Sequence, residues 1–345
     1  MDEGREGDEY LPFLSTMLKF IEYFLSLHGK PVFMRRKNSV NVFAPATISN
    51  MGSGFDIIGF PLENVGDTVQ VSRNDQHSLR IGRLTGYTDL PLESDENVAT
   101  FAVKQMLLRL GSGQGFDIDI HKEVKPGSGI GSSASSSVAA VFAVNELLDN
   151  PFTPYELIEF AMEGEMLASG DKHGDNVTPA MLGGITLIRS YHPFDVIRIA
   201  PPKDLYVVLL HPQIEVKTEM SRSILPEKVP LKQAIQQWGN VGGLIAGLYT
   251  SDYELIGRSM EDVVAEPVRS SLIPGYIDLK AAAMNKGALG FNISGSGPSV
   301  FAITKGRDDA QKIEEELRAV YRQENIDFNT YVSKVSSLGA RVVES

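Results

Sequence analysis

The chain has 345 residues, 42% of them hydrophobic and 22% charged, an ordinary globular composition that allows about two domains and a large core. Its 44 acidic against 32 basic residues leave a net charge of −12, which argues against nucleic acid or an anionic membrane surface as the main partner. Cysteine is absent, so disulfides, thiolate catalysis and zinc-thiolate centres are excluded, and the six histidines show no metal-ligand spacing.

Residues 1–37 begin with an acidic stretch to Tyr10. Leu11 to Leu27 is apolar but interrupted by Lys19 and Glu22. A signal peptide wants a basic start and an unbroken apolar region, and a membrane span wants about 20 apolar residues; the segment meets neither requirement. An extension, a true start at Met34 and an amphipathic docking helix remain open, with an extension lacking a catalytic role preferred.

Val40 and Val42 predict a strand that Pro45 ends. Asn50 to Asp56 is polar and glycine-rich, and its residue types are those of a surface turn. Thr68 to Val71 and Leu79 to Ile81 read as strands of one sheet. Ser94 or Asp95 would cap the next helix, which runs from Asn97 to Leu110 and is apolar on most sides, hence buried. Phe116 to Ile120 alternates like a half-buried strand.

Lys125-Pro-Gly-Ser-Gly-Ile-Gly-Ser-Ser-Ala-Ser-Ser-Ser137 then alternates glycine at 127, 129 and 131, which lets a backbone turn tightly and bring its N–H groups close to an anion. Val138, Val141, Phe142, Val144, Leu147 and Leu148 give the following helix an apolar face. The turn therefore feeds a helix N-terminus, where free N–H groups and the dipole favour a phosphate. It is no Walker A loop, since no lysine follows Gly131, and the third glycine comes one residue too early for a dinucleotide fingerprint. Local spacing alone equally allows a flexible Gly/Ser loop.

Thr153-Pro-Tyr-Glu156 is a capping box with proline at the first helical position, predicting a helix to about Ala168 that Gly170 stops. Glu165 falls among Ile158, Ala161, Met162 and Ala168 at helical spacing, where a carboxylate is costly unless a lysine or a cation pairs it. Leu205 to Leu210 is a continuous apolar run, as expected of a buried strand closed by His211 and Pro212. Helical patterns over Lys232 to Tyr249, Tyr253 to Val264, Ile277 to Lys286 and Asp309 to Arg322 alternate with strands near Gly290 to Ile293 and Ser299 to Ile303. That mixture predicts an α+β domain, with Gly295 to Pro298 as a hairpin turn.

Pro126 to Ala134 resembles the central motif of the GHMP kinases, P-x-x-x-G-[LI]-G-S-S-A. Two flanking stretches match in order: Ala44 to Gly59 upstream and Asn292 to Ser299 downstream. The run Gly164 to Ala180, followed by Gly183 and Gly184, is similar to the branch that phosphorylates L-homoserine. The resemblance implies two α+β lobes, an N-terminal nucleotide-binding lobe over 38–198 and a C-terminal ferredoxin-like lobe over 199–345, with substrate between them.

By the same resemblance Pro126, Gly127, Ser128, Gly129, Ile130, Gly131, Ser132, Ser133 and Ala134 wrap the ATP phosphates, and Asn97 borders the adenine pocket, although its residue type equally allows a simple capping turn. Ser133 and Glu165 would hold Mg²⁺ on the β- and γ-phosphates. Asn50, Asp56, His173, Thr218, Arg222 and Arg269 would bind the amino alcohol. The two guanidiniums suit a carboxylate, which they meet with paired N–H donors. The turn at Gly295 would close on the phosphate loop. Asn176 stands where mevalonate kinase and galactokinase types carry a proposed catalytic aspartate, and an amide cannot take a proton. Catalysis would then rest on Ser133, Glu165 and Asn176 through positioning and charge neutralisation.

The expectation is thus a cytoplasmic ATP- and Mg²⁺-dependent kinase making O-phospho-L-homoserine for threonine biosynthesis. It would be a homodimer, with no nucleic-acid or membrane partner. A different small-alcohol kinase of the mevalonate-pathway type, or a silent nucleotide or amino-acid sensor, stays open.

Overall fold

Val40, Val42 and Ala44 alternate with half-buried Asn41 and Phe43, and that period of two builds β1 (Ser39–Ser49). The computed structural model describes residues 37–170 and 172–344; the expectations for residues 1–36 lie outside the described residues. Pro45 does not end β1 as predicted. The strand continues through a register shift between Pro45 and Thr47, where the bulge removes the need for a ladder donor at the proline.

β1 pairs antiparallel with β2 (Ile58–Asn74), which pairs antiparallel with β4 (Gly115–Lys122); β3 (Leu79–Gly86) adds parallel to β4 at the edge. β5 (Ile185–Tyr191) and β6 (Phe194–Ile199) extend from β2, and the short β11 (Arg341–Val343) pairs with β1. Four helices pack on this sheet: α1 (Val98–Leu110), α2 (Ser132–Leu147), α3 (Pro154–Ser169) and α4 (Gly174–Leu182). Their apolar faces meet Val42, Val69, Val71, Phe116 and Ile118 in one core.

α3 starts at the predicted capping box, where Thr153 and Glu156 exchange bonds, and stops at Gly170. The cap of α1 is the capping-turn asparagine and not either residue placed ahead of it. Neither Ser94 nor Asp95 serves; Asn97 accepts from the Ala99 N–H at 3.0 Å and donates to the Pro91 carbonyl at 2.8 Å.

The second sheet is antiparallel throughout in the order β10-β7-β9-β8, formed by β7 (Leu205–Pro212), β8 (Gly290–Ile293), β9 (Val300–Lys305) and β10 (Phe328–Lys334). With α9 (Tyr276–Asn285) between β7 and β8, and α10 (Arg307–Tyr321) between β9 and β10, this is the ferredoxin-like βαββαβ arrangement predicted for the second lobe. The continuous apolar run of β7 follows from burial on both faces. Val208 and Leu210 point to Leu279, Ile313 and Tyr321, while Leu205, Val207 and Leu209 point to Ile48, Phe60 and Leu62 of the first sheet. Phe60 and Phe301 meet edge to face there, centroids 6.0 Å apart.

The remaining helices are α5 (Thr218–Ser223), α6 (Leu231–Thr250), α7 (Tyr253–Ser259) and α8 (Glu266–Arg269). α7 ends five residues short of the Val264 predicted. Beyond it Asp262 accepts from the N–H groups of Val264, Ala265 and Glu266, and those bonds replace a helical ladder. The first sheet runs through Ile199, the last residue of β6, and takes back β11 from the C-terminal end of the chain.

Candidate functional site

The glycine turn lies where the two sheets meet. Gly127, Gly129 and Gly131 all take positive φ, and two of them have no room for a side chain. A Cβ on Gly129 would stand 2.5 Å from the Gly297 carbonyl, and one on Gly131 would stand 2.1 Å from Thr47 Oγ1. The hairpin turn after β8 clamps the loop from the second lobe: Ser294 Oγ donates to the Gly129 carbonyl at 2.7 Å and Ser299 Oγ to the Ser128 carbonyl at 2.6 Å. The predicted closure of this turn on the loop is therefore present.

Below the turn, Lys122 and Asp67 are buried, and the Lys122 ammonium donates to Asp67, to the Ser132 carbonyl and, at 2.8 Å, to Ser136 Oγ. Asp67 in turn accepts the Glu123 and Val124 N–H groups at 3.1 Å each. A charged girder thus ties β2, the end of β4 and the first turn of α2. Two buried serines of the first turn of α2 are satisfied, Ser132 Oγ on the Val124 carbonyl at 2.9 Å and Ser135 Oγ on the Pro45 carbonyl at 3.0 Å.

This loop forms one wall of a cavity of about 780 Å³. Pro126, Gly127, Gly129, Gly131, Ser132 and Ser133 line it, as do Asn97 and Glu165. Leu90, Pro91, Val98 and Ile120 give one region of the wall an apolar character. Ser128, Ile130 and Ala134 are buried and do not line the cavity; Ile130 and Ala134 anchor the loop in the two flanking cores. Glu165 is 6% exposed, and burial pushes its carboxyl up to about 7 in spite of the Ser133 hydroxyl and the Lys122 charge. Among the described residues no group of three acidic or histidine side chains forms a metal cage. One carboxylate beside one hydroxyl is a donor set that fits Mg²⁺ shared with phosphate oxygens.

The same cavity gathers every residue predicted to bind substrate: Asn50, Asp56, His173, Thr218, Arg222 and Arg269. Asn50, at positive φ, accepts from the Asp56 N–H at 3.0 Å and donates to the Gly295 carbonyl at 3.0 Å, shaping the loop before β2. Arg222 reaches both oxygens of Asp56 at 2.9 Å and His173 Nδ1 at 3.1 Å. Arg269 is 4% exposed and donates to the carbonyls of Ser221 and Gly295 at 3.1 and 3.0 Å. Burial lowers its pKa to about 10, and it stays charged at neutral pH. Thr218 Oγ1 meets Ser296 Oγ at 3.4 Å.

Asn176 bridges the two regions, accepting from Thr47 Oγ1 at 2.8 Å and donating to Ser49 Oγ at 3.1 Å. Sequence reasoning did not single out Lys122, Asp67, Thr47, Ser49 or Phe55. Beside Asn176 stands the carboxyl of Asp175. That carboxyl is 3% exposed, lines the cavity, and is raised by burial and then by the Asp56 charge. The available signal for Lys122 was a lysine ending a strand whose inward positions are otherwise apolar.

The family profile described as GHMP kinases N terminal domain matches residues 97–184, and that described as GHMP kinases C terminal matches residues 244–323. The chain is 43% identical to a homoserine kinase of Chlorobaculum tepidum over 89% of its own length and 99% of the relative's, and 45% identical to one of Chloroherpeton thalassium over 88% and 99%. Among solved structures it resembles homoserine kinase from Cytophaga hutchinsonii, with TM-score 0.87, 46% identity, and 90% and 99% of the two chains covered.

Proposed function

The chain belongs to the GHMP kinases, and from that membership we propose that it transfers the γ-phosphoryl group of ATP to the hydroxyl of L-homoserine, giving O-phospho-L-homoserine and ADP on the way to threonine. The observation that carries the reading is the meeting, in one cavity, of the glycine turn with a cluster that suits an amino acid. Arg222 and Arg269 offer paired donors to a carboxylate, while Asp56 and Asp175 offer negative charge to an ammonium.

Binding the amino acid by both ends would leave its hydroxyl directed at the γ-phosphorus. The new O–P bond forms as the bond to the β-phosphate oxygen breaks, and the loose transition state asks mainly for alignment and charge neutralisation. Glu165 and Ser133 would hold Mg²⁺, which when bound neutralises charge on the β- and γ-phosphates. The Asn176 amide cannot take the hydroxyl proton. Its bonds to Thr47 and Ser49 fit a positioning role, and the proton passes to a phosphate oxygen or another acceptor.

Consumption of ATP suits a cytoplasmic location. No described helix is long and apolar enough to cross a membrane. A homodimer is supported by one face of α6, where Leu231, Ile235, Trp238 and Tyr249 are 68%, 56%, 63% and 62% exposed.

ADP release with Mg·ATP should be measured against L-homoserine, L-threonine, L-serine, mevalonate and galactose. The expected result is a kcat/KM for L-homoserine far above the others; turnover led by mevalonate or galactose, or none at all, defeats the reading.

A further inference from the structure

Phe55 stands in the loop between Asn50 and Asp56 but is not part of the cavity wall. Its ring lies 4.9 Å from Arg269 Cζ and 6.0 Å from Arg222 Cζ, so one aromatic group serves two guanidiniums. The loop that carries it is anchored. Asn50 accepts from the Asp56 N–H and donates to the Gly295 carbonyl, the same oxygen that accepts from Arg269 Nη1.

The two arginines are like charges converging on one place, and each has spent part of its fork on the protein. Arg222 uses Nη2 on Asp56 and His173; Arg269 uses Nε on Ser221 and Nη1 on Gly295. Arg222 Nε is buried with no acceptor among the described residues, so the groups left for a ligand are Nη1 of Arg222 and Nη2 of Arg269. A third carboxylate placed between the guanidiniums would balance their charge but would consume the N–H edges that recognise a substrate carboxylate. An aromatic ring attracts a cation without accepting those hydrogen bonds, so the edges stay available.

We propose that Phe55 is a positioning residue for carboxylate recognition, holding Arg222 and Arg269 together with their free N–H edges turned to the cavity. This rests on the reading of L-homoserine as substrate. The role predicts a selective effect. Discrimination between an amino alcohol with a carboxylate and one without it should depend on the ring.

The test compares L-homoserine with aminopropanol, its decarboxylated analogue, in wild type and in Phe55→Leu, Phe55→Met and Phe55→Tyr. Loss of the ring is expected to raise KM for L-homoserine about tenfold with kcat within about twofold, and to leave KM for aminopropanol within about twofold. Phe55→Tyr keeps the ring and should restore the wild-type ratio. Equal losses on both substrates, or no loss in whichever of Leu and Met folds, overturns the proposal while leaving the substrate reading intact. A wild type indifferent to the carboxylate overturns the proposal together with the assignment of the arginines.

Discussion

Lys122 and Asp67 form an ion pair whose side chains are 2% and 0% exposed, directly beneath the first turn of the helix that receives the glycine loop. The pair is tolerable in that position because nearly every lone pair is used: Asp67 accepts two backbone N–H groups and Ser136, and Lys122 has three acceptors.

Removing one partner strands the other charge in the core. Lys122→Met is expected to destabilise the fold by about 3–5 kcal/mol, and the double variant Lys122→Met with Asp67→Asn by clearly less. Urea midpoints of the wild type, both single variants and the double variant measure this. Additive losses would show that the pair is not coupled.

Glu165 gives a pH prediction with a definite sign. Its ordinary value is 4.5 and burial raises it to about 7, so across that window the folded chain holds a proton that the unfolded chain has released. Stability of the ligand-free protein therefore has a term that falls as pH rises from about 4.5 to about 7, and Glu165→Gln should flatten that part of the curve. The ionised form is the one a cation needs, so Mg²⁺ affinity should rise over the same interval. Glu165→Gln should also lower kcat by about a hundredfold or more with Mg·ATP while the fold survives. Melting temperature against pH, with turnover at saturating substrates, checks both; near-normal turnover would remove Glu165 from the chemistry.

Arg222 and Arg269 should separate binding from turnover. Replacing Arg222 with Leu removes a charged donor pair, and KM for L-homoserine should rise about ten- to a hundredfold with little change in KM for ATP. Arg269→Leu should do the same and also cost stability, because its bonds to Ser221 and Gly295 join α5, α8 and the hairpin turn. Unchanged KM for L-homoserine in both variants would end the case for a carboxylate site.

Glycine spacing, the apolar helix face and the capping box at Thr153 made the loop and its neighbouring helices legible, because they are local signals read over a few residues. The buried pair of Lys122 and Asp67 was not legible. The residues are 55 positions apart on paired strands, and alternation places each on an inward face without showing that the two meet. Pro45 misled for a related reason: its strand survives through a bulge that only the partner strand reveals. Asn97 reads from the sequence as the first helical residue, whereas its Oδ1, accepting the Ala99 N–H, makes it the cap, and its amide ties that cap back to the Pro91 carbonyl. The roles expected of Asn50, His173 and Asn176 came from resemblance, since each is by itself an ordinary loop or helix-start residue.

Asn176 permits the sharpest test of a transfer step without a carboxylate base. Its Oδ1 lies 3.0 Å from where a Cβ on Gly131 would stand, so the amide is packed against the last glycine of the loop. Asn176→Asp keeps an acceptor for Thr47, gives up the donor to Ser49, and adds a negative charge where ATP phosphates approach. Repulsion should dominate, lowering kcat about tenfold or more and raising KM for ATP, with the loss easing as pH falls and the new carboxyl is protonated. Asn176→Ala should lower kcat with little change in KM for ATP, since it removes alignment without adding charge. If Asn176→Asp instead turned over faster, with an activity that grew with pH, proton removal would limit this site and the positioning account of catalysis would fail.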